Sequence, residues 1–237
     1  MQYHQKRKTL LTTVLLYFPI FMAMYAIPFI IDRDLFPYLN QNWLDFPTER
    51  WLVWVVPSVI LIKIFQKDIF VSLKDMFFNK VKLKTLLWCW GPIILYLVGG
   101  LFVTKFTGFT LGGQLRNFSN TNEFFHELLN SFWGVLVVPA IPEEMVFRAW
   151  ILNAFLGKSP SKRKTILSIV ISSILFVIMH LPTFFYLNYS ILHMLLSGLM
   201  VFAAGSAFGI MFYKSKNILV SIFAHWLWDV FTMTFYL

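Results

Sequence analysis

The sequence predicts an all-α, polytopic transmembrane helical bundle of about seven spans, with its amino terminus in the cytoplasm. Three observations carry that reading. Hydrophobic residues make up 58% of the chain and charged ones 13%, about half the charged share of a soluble domain. Several apolar windows exceed the ~18 residues that cross a bilayer. The basic residues divide unequally between alternate loops, fifteen on the inner side against four (Arg33, Arg50, Lys105 and Arg116) on the outer, as the positive-inside rule requires of cytoplasmic loops.

The first span is expected at 10–31, behind the basic cluster Lys6-Arg7-Lys8. Its apolar run is too long for a signal peptide and has no small-residue cleavage site. Residues 32–49, with Asp32, Asp34, Asp45 and Glu49, read as an outer loop. A second span covers 51–66, with Lys63 able to extend its amine to the inner interface. In 67–84, Ile69, Phe70, Leu73, Met76 and Phe77 oppose Lys67, Lys74 and Lys80, a pattern that fits a helix on the inner membrane surface or an ordinary inner loop. The third span is 85–104, and 105–127, with Gly108, Gly112, Gly113 and a polar run, is an outer loop. The fourth, 128–157, contains Pro139 and Pro142 and should be broken there, with Pro142 opening a helix and two acids in its first turn. An inner loop at 157–164 leads to the fifth span, 165–181, which stops at Pro182. The sixth, 190–213, carries Gly198, Gly205 and Gly209, small enough to let helices approach closely. The seventh runs from 217 to the carboxyl end. The whole reads as a single membrane domain.

A formal charge of +9 could suggest nucleic acid, but the basic residues flank apolar spans and form no stripe interleaved with aromatics, so that role is excluded. The lone cysteine, Cys89, rules out an internal disulfide and any cysteine-based metal site.

Of eleven acidic residues only Glu143, Glu144 and Asp229 fall within apolar spans, joined there by Arg148, His180, His193 and His225. A charge at bilayer depth costs roughly 3 kcal/mol or more, so these residues need a reason to be there. Glu144 and Arg148 are four apart and pair on one helix face, whereas Glu143 points about 100° away. His225 and Asp229 are also four apart, so the carboxylate can fix the imidazole tautomer. His193 has no acidic neighbour and reads as a packing residue, and His4 and His126 as loop residues.

Glu143-Glu144-x-x-x-Arg148, Phe176-x-x-x-His180 and His225-x-x-x-Asp229, in that order on three spans, resemble the CPBP family of intramembrane proteases. That family, also called Abi, comprises CAAX prenyl endopeptidases and bacteriocin-processing or immunity proteins. The resemblance covers about 128–232, which would be the catalytic core, and leaves 1–127 without a role. It implies an intramembrane peptidase in a cell membrane, taking a peptide or lipidated peptide. The Phe- and Lys-rich composition suggests a bacterial plasma membrane, and hence a peptide substrate such as a leader or bacteriocin. One position departs from the family: the prenyl endopeptidases often have Asn where this chain has Asp229, and an ionised Asp offers an oxyanion no N–H.

Amide hydrolysis needs an activated water, a stabilised oxyanion and a proton for the leaving amine. Glu143 is the expected base, and Glu144 with Arg148 would hold the helix. His180 and His225 would either complete a zinc-type site with Glu143 or, without metal, bind the water and the oxyanion directly. Counting residues from the inner span ends places these groups near the midplane, leaning outward. Two rival readings are a non-catalytic immunity or scaffold protein with a membrane protein partner, and a proton-coupled transporter, which would need paired broken helices.

Overall fold

Apolar residues recur through each run without the strict alternation a strand needs, and every described element is helical. The computed structural model describes residues 2–34, 50–107 and 116–235. The predicted outer-loop acids Asp45 and Glu49, and Gly108, Gly112 and Gly113 of the next loop, lie outside them. Helix α1 is Gln2–Asp34, and α2 joins a π-turn at Trp51–Val55 to Val56–Ile64. Helix α3 is Leu73–Phe78 and α4 is Leu83–Thr107. Helix α5 is continuous through Thr121–Val135, Leu136–Ala140, Ile141–Glu144, Met145–Leu152 and Asn153–Leu156, its second and fourth pieces in π geometry. Helix α6 is Lys162–Tyr186, α7 is Ile191–Ser215 and α8 is Ile218–Phe235. Among the described residues, α4, α6, α7 and α8 are long and apolar enough to cross a membrane, and 8–24 and 51–64 form shorter apolar helices.

Helix α5 departs from expectation. Pro142 does not open a helix but sits inside one, and the chain widens into π geometry on either side of it. The Ile141 N–H donates five residues back, to Leu136 O. Pro142 has no N–H, so Val137 loses its donor five residues on and Val138 its donor four residues on. The indole Nε1 of Trp51 donates to Val137 O at 2.9 Å, and Nη1 of Arg50 donates to Val138 O at 3.3 Å. The break that two prolines would make is thus mended from α2 and the residue before it.

Every residue from 142 to 154 is buried, so this stretch of α5 is enclosed all round at the centre of the bundle. Helices α1, α2, α6, α7 and α8 pack about it. Phe21 of α1 meets Trp54 edge-on at 4.5 Å and Phe147 at 6.1 Å, tying the amino-terminal helices to the central one. At the far end Lys164 Nζ donates to Leu156 O, closing the helix beside Gly157, whose φ of 59° suits a residue without Cβ.

Three loop expectations change. In 67–84 only Leu73–Phe78 and the first residues of α4 are helical, and Ile69, Val71 and Met76 are buried in the protein rather than laid on a surface. Helix α6 runs through Pro182 to Tyr186 instead of stopping there. Helix α5 begins at Thr121, inside the predicted outer loop, because Asn120 caps it by accepting from Glu123 N at 3.0 Å. Glu123 in turn accepts from the Ser119 hydroxyl and backbone N–H, and these bonds, the hydroxyl's first, hold its carboxyl below the usual range.

Asn153 anchors the 67–84 segment. It is fully buried, its Nδ2 donating to Val71 O and its Oδ1 accepting from Val71 N, both at 2.8 Å. Asn153→Ala leaves both Val71 groups without partners and should cost about 1–3 kcal/mol, read as a lower midpoint in detergent-phase thermal unfolding. An unchanged midpoint would mean that water replaces the amide.

Candidate active site

The charged residues within the bundle gather on the wide part of α5. Glu144 and Arg148 pair at 2.8 Å between Oε1 and Nη1, both essentially without exposure. The approach is close but misaligned for a hydrogen bond, so charge holds it rather than a directed N–H···O contact. The guanidinium is fixed by other means: Nη2 donates to Gly205 O at 3.1 Å, and Cζ lies over the rings of Phe176 at 4.4 Å and Phe208 at 5.3 Å. A helix carbonyl can be reached this way only where the facing helix lacks a side chain. A Cβ on Gly205 would fall 3.1 Å from Phe176 Cδ1 and 3.4 Å from Arg148 Nη2. Since neither ring nor guanidinium is free to retreat, Gly205→Val should cost about 1–3 kcal/mol by overpacking. Thermal unfolding checks this, and wild-type stability would show that α7 can shift.

Helix α8 brings His225 to the same point. Its Nδ1 lies 3.0 Å from Glu144 Oε1, and its Nε2 lies 3.2 Å from Asp229 Oδ2 and 3.8 Å from Glu143 Oε2. Carboxylates only accept, so each ring nitrogen that bonds one must carry a proton. Phe208 stacks on the ring at 5.0 Å, and Ser221 donates to Phe208 O at 3.1 Å, fixing where that stack sits. His225 is thereby held in position by its carboxylate partners and the Phe208 ring.

Glu143 points away from Arg148, as the helix angle requires, and finds a cation the sequence did not suggest. Arg50 Nη1 is 3.3 Å from Glu143 Oε1, with Arg50 buried against the Trp54 ring at 4.7 Å. Arg50 is not the outer-loop charge it was expected to be. A cation directly before an apolar run reads as a topology signal, and nothing local marks it as an interior partner.

His180 stands slightly apart. Its Nδ1 is 2.8 Å from Phe176 O and its ring meets Phe176 edge-on at 4.7 Å, while Phe176 also lies 6.0 Å from His225. A carbonyl only accepts, so the neutral ring carries its proton on Nδ1 and leaves a lone pair on Nε2. Among the described residues no hydrogen bond or ion pair joins His180 to Glu143. His193 instead stacks on Tyr189 at 3.9 Å, a packing role as expected.

The expected zinc-type set of Glu143, His180 and His225 does not assemble. Among the described residues no three His, Cys, Asp or Glu side chains are arranged to hold an ion. The reason is orientation: both nitrogens of His225 face carboxylates, and His180 has no contact with Glu143 among the described hydrogen bonds and ion pairs. What the arrangement offers is a buried carboxylate, a fixed imidazole donor and a second imidazole with an open lone pair. Glu143 is 5% exposed and His225 4%, whereas His180 and Asp229 are half-buried and form the accessible rim.

Residues 125–231 match the family model described as type II CAAX prenyl endopeptidase Rce1-like. No curated protein and no solved structure matches the chain. The matched segment contains Glu143, Glu144, Arg148, His180, His225 and Asp229, and it excludes Arg50 and the first four helices. The buried Glu-Glu-Arg-His-Asp cluster of this multi-pass helical membrane protein thus lies wholly within the segment, residues 125–231, that is similar to the Rce1-like type II CAAX prenyl endopeptidases.

Proposed function

We propose that the protein is an intramembrane endopeptidase that hydrolyses a peptide bond of a membrane-associated peptide or protein, using a water activated by Glu143. The observation that supports this most directly is the meeting of α5 and α8. There His225 bonds Glu144 and comes within 3.8 Å of Glu143, which no single helix could arrange. Glu143 removes the proton from water as the oxygen attacks the scissile carbonyl. His225, held by Glu144 at Nδ1, shares its single Nε2–H between Asp229 and the oxyanion that forms. The proton that Glu143 has taken from water passes to the Nε2 lone pair of His180 and from there to the leaving amine as the C–N bond breaks. Asp229 acts here as an acceptor that orients His225, so the missing amide of an Asn is not needed. The substrate is a peptide or lipidated peptide, and the membrane a bacterial plasma membrane.

The test is cleavage of a quenched fluorescent peptide ending in a farnesylated CAAX box, beside the same peptide without its lipid, by the full chain in proteoliposomes. A single internal cut in either peptide, confirmed by product mass, is expected. No cut in either would overturn the reading.

A further inference from the structure

We infer that Arg50 and Trp51, outside the segment that defines the family, are positioning residues for the proposed base, and that the amino-terminal helices exist in part to carry them. This rests on the reading of Glu143 as the base. Pro142 directly precedes Glu143. A proline one residue before a catalytic carboxylate removes the N–H that would fix the preceding turn, and the neighbouring π geometry leaves the carbonyls of Val137 and Val138 short of helical donors. A turn so freed would let Glu143 rotate with it. Two adjacent side chains supply the missing donors, Trp51 Nε1 at 2.9 Å from Val137 O and Arg50 Nη1 at 3.3 Å from Val138 O.

The same Nη1 lies 3.3 Å from Glu143 Oε1, so one nitrogen fixes both the backbone of the turn and the carboxylate it presents. Oε1 is thereby engaged, and Oε2, which faces His225 at 3.8 Å, is the oxygen directed toward the reaction. The guanidinium is itself immobilised over Trp54, which is 2% exposed and braced by Phe21 of α1. The chain α1, Trp54, Arg50, Glu143 gives α1 and the start of α2 a role that their lack of family motifs hides.

The experiment compares kcat and KM on the farnesylated CAAX peptide in proteoliposomes for wild type, Arg50→Gln, Arg50→Lys, Trp51→Phe and Glu143→Gln. Arg116→Gln, which breaks a peripheral ion pair with Glu127, is the control. Misplacing a reacting group by about 1 Å costs ~100-fold. Arg50→Gln should therefore lose kcat by roughly ten- to a hundredfold, with KM changed less than about twofold. Arg50→Lys, which retains the charge, should recover to within about fivefold of wild type, and Arg116→Gln should match wild type. Wild-type kcat in a folded Arg50→Gln, or a loss confined to KM, would overturn the positioning role and leave the base intact, provided Glu143→Gln is inactive. An active Glu143→Gln would overturn both. If Arg50→Gln does not fold, Trp51→Phe carries the test: it keeps an aromatic ring at the position while removing the donor to Val137 O, and should lower kcat about three- to tenfold. Unchanged kcat in that variant would equally end the proposal.

Discussion

Glu143→Gln is expected to abolish peptide cleavage, by about a thousandfold, the middle of the range that a positioned general base supplies. The substitution is nearly isosteric. Its amide oxygen can still accept from Arg50 Nη1, now 3.3 Å from the carboxylate, and α5 remains enclosed by the same neighbours. What disappears is the ability to take a proton from water. The fold can be checked separately through Cys89, the single thiol of the chain, which is 2% exposed in α4. Its reaction with a maleimide should be as slow in the variant as in wild type, so that lost activity is not lost structure. A scaffold or immunity protein that keeps the cluster only for packing predicts the opposite, an unchanged phenotype. Cleavage at the wild-type rate by Glu143→Gln would remove Glu143 from the chemistry and with it the mechanism proposed above.

Much of this site was legible because charge inside an apolar helix is costly enough to be selective. Glu143, Glu144, Arg148, His225 and Asp229 stood out against runs with almost no other polar side chains, and the i,i+4 spacings of Glu144 with Arg148 and His225 with Asp229 gave pairs that the structure contains at 2.8 Å and 3.2 Å. The spacing also separated Glu143 from Arg148. It could not say what Glu143 faces, because Arg50 is 93 residues away and a contact at that separation leaves no local pattern. Pro139 and Pro142 marked the irregularity in α5 but not its form. A proline shows that a hydrogen bond is missing, and the donors that replace it, Arg50 and Trp51, belong to another element. Pro182 shows the converse error. A helix can continue through a proline when neighbouring helices support it, so α6 gained a turn beyond the expected end. Sequence spacing likewise places side chains on faces but could not show that both nitrogens of His225 turn to carboxylates.

Removing the Arg148 guanidinium should be the most destabilising single change in the bundle. Arg148→Met keeps length and apolar volume but leaves Glu144 buried with one remaining partner, His225 Nδ1 at 3.0 Å, while Glu144 Oε2 already lacks a hydrogen-bond partner among the described residues. Breaking a buried pair on one side costs about 3–5 kcal/mol, because the surviving charge keeps its desolvation penalty and loses its compensation. The loss of the bond to Gly205 O and of the contact with the Phe176 ring acts in the same direction. The two contributions can be separated by adding Glu144→Leu. If the cost is mainly an orphaned charge, the double variant should be more stable than Arg148→Met alone, even though Gly205 O remains unpaired and His225 loses an acceptor. Maleimide labelling of Cys89 across an SDS titration reads the order directly: wild type last to react, the double variant next, Arg148→Met first. A double variant that unfolds before the single one would mean that Arg148 stabilises the bundle through the α7 carbonyl and the aromatic faces, and that Glu144 is accommodated there whether or not a guanidinium accompanies it.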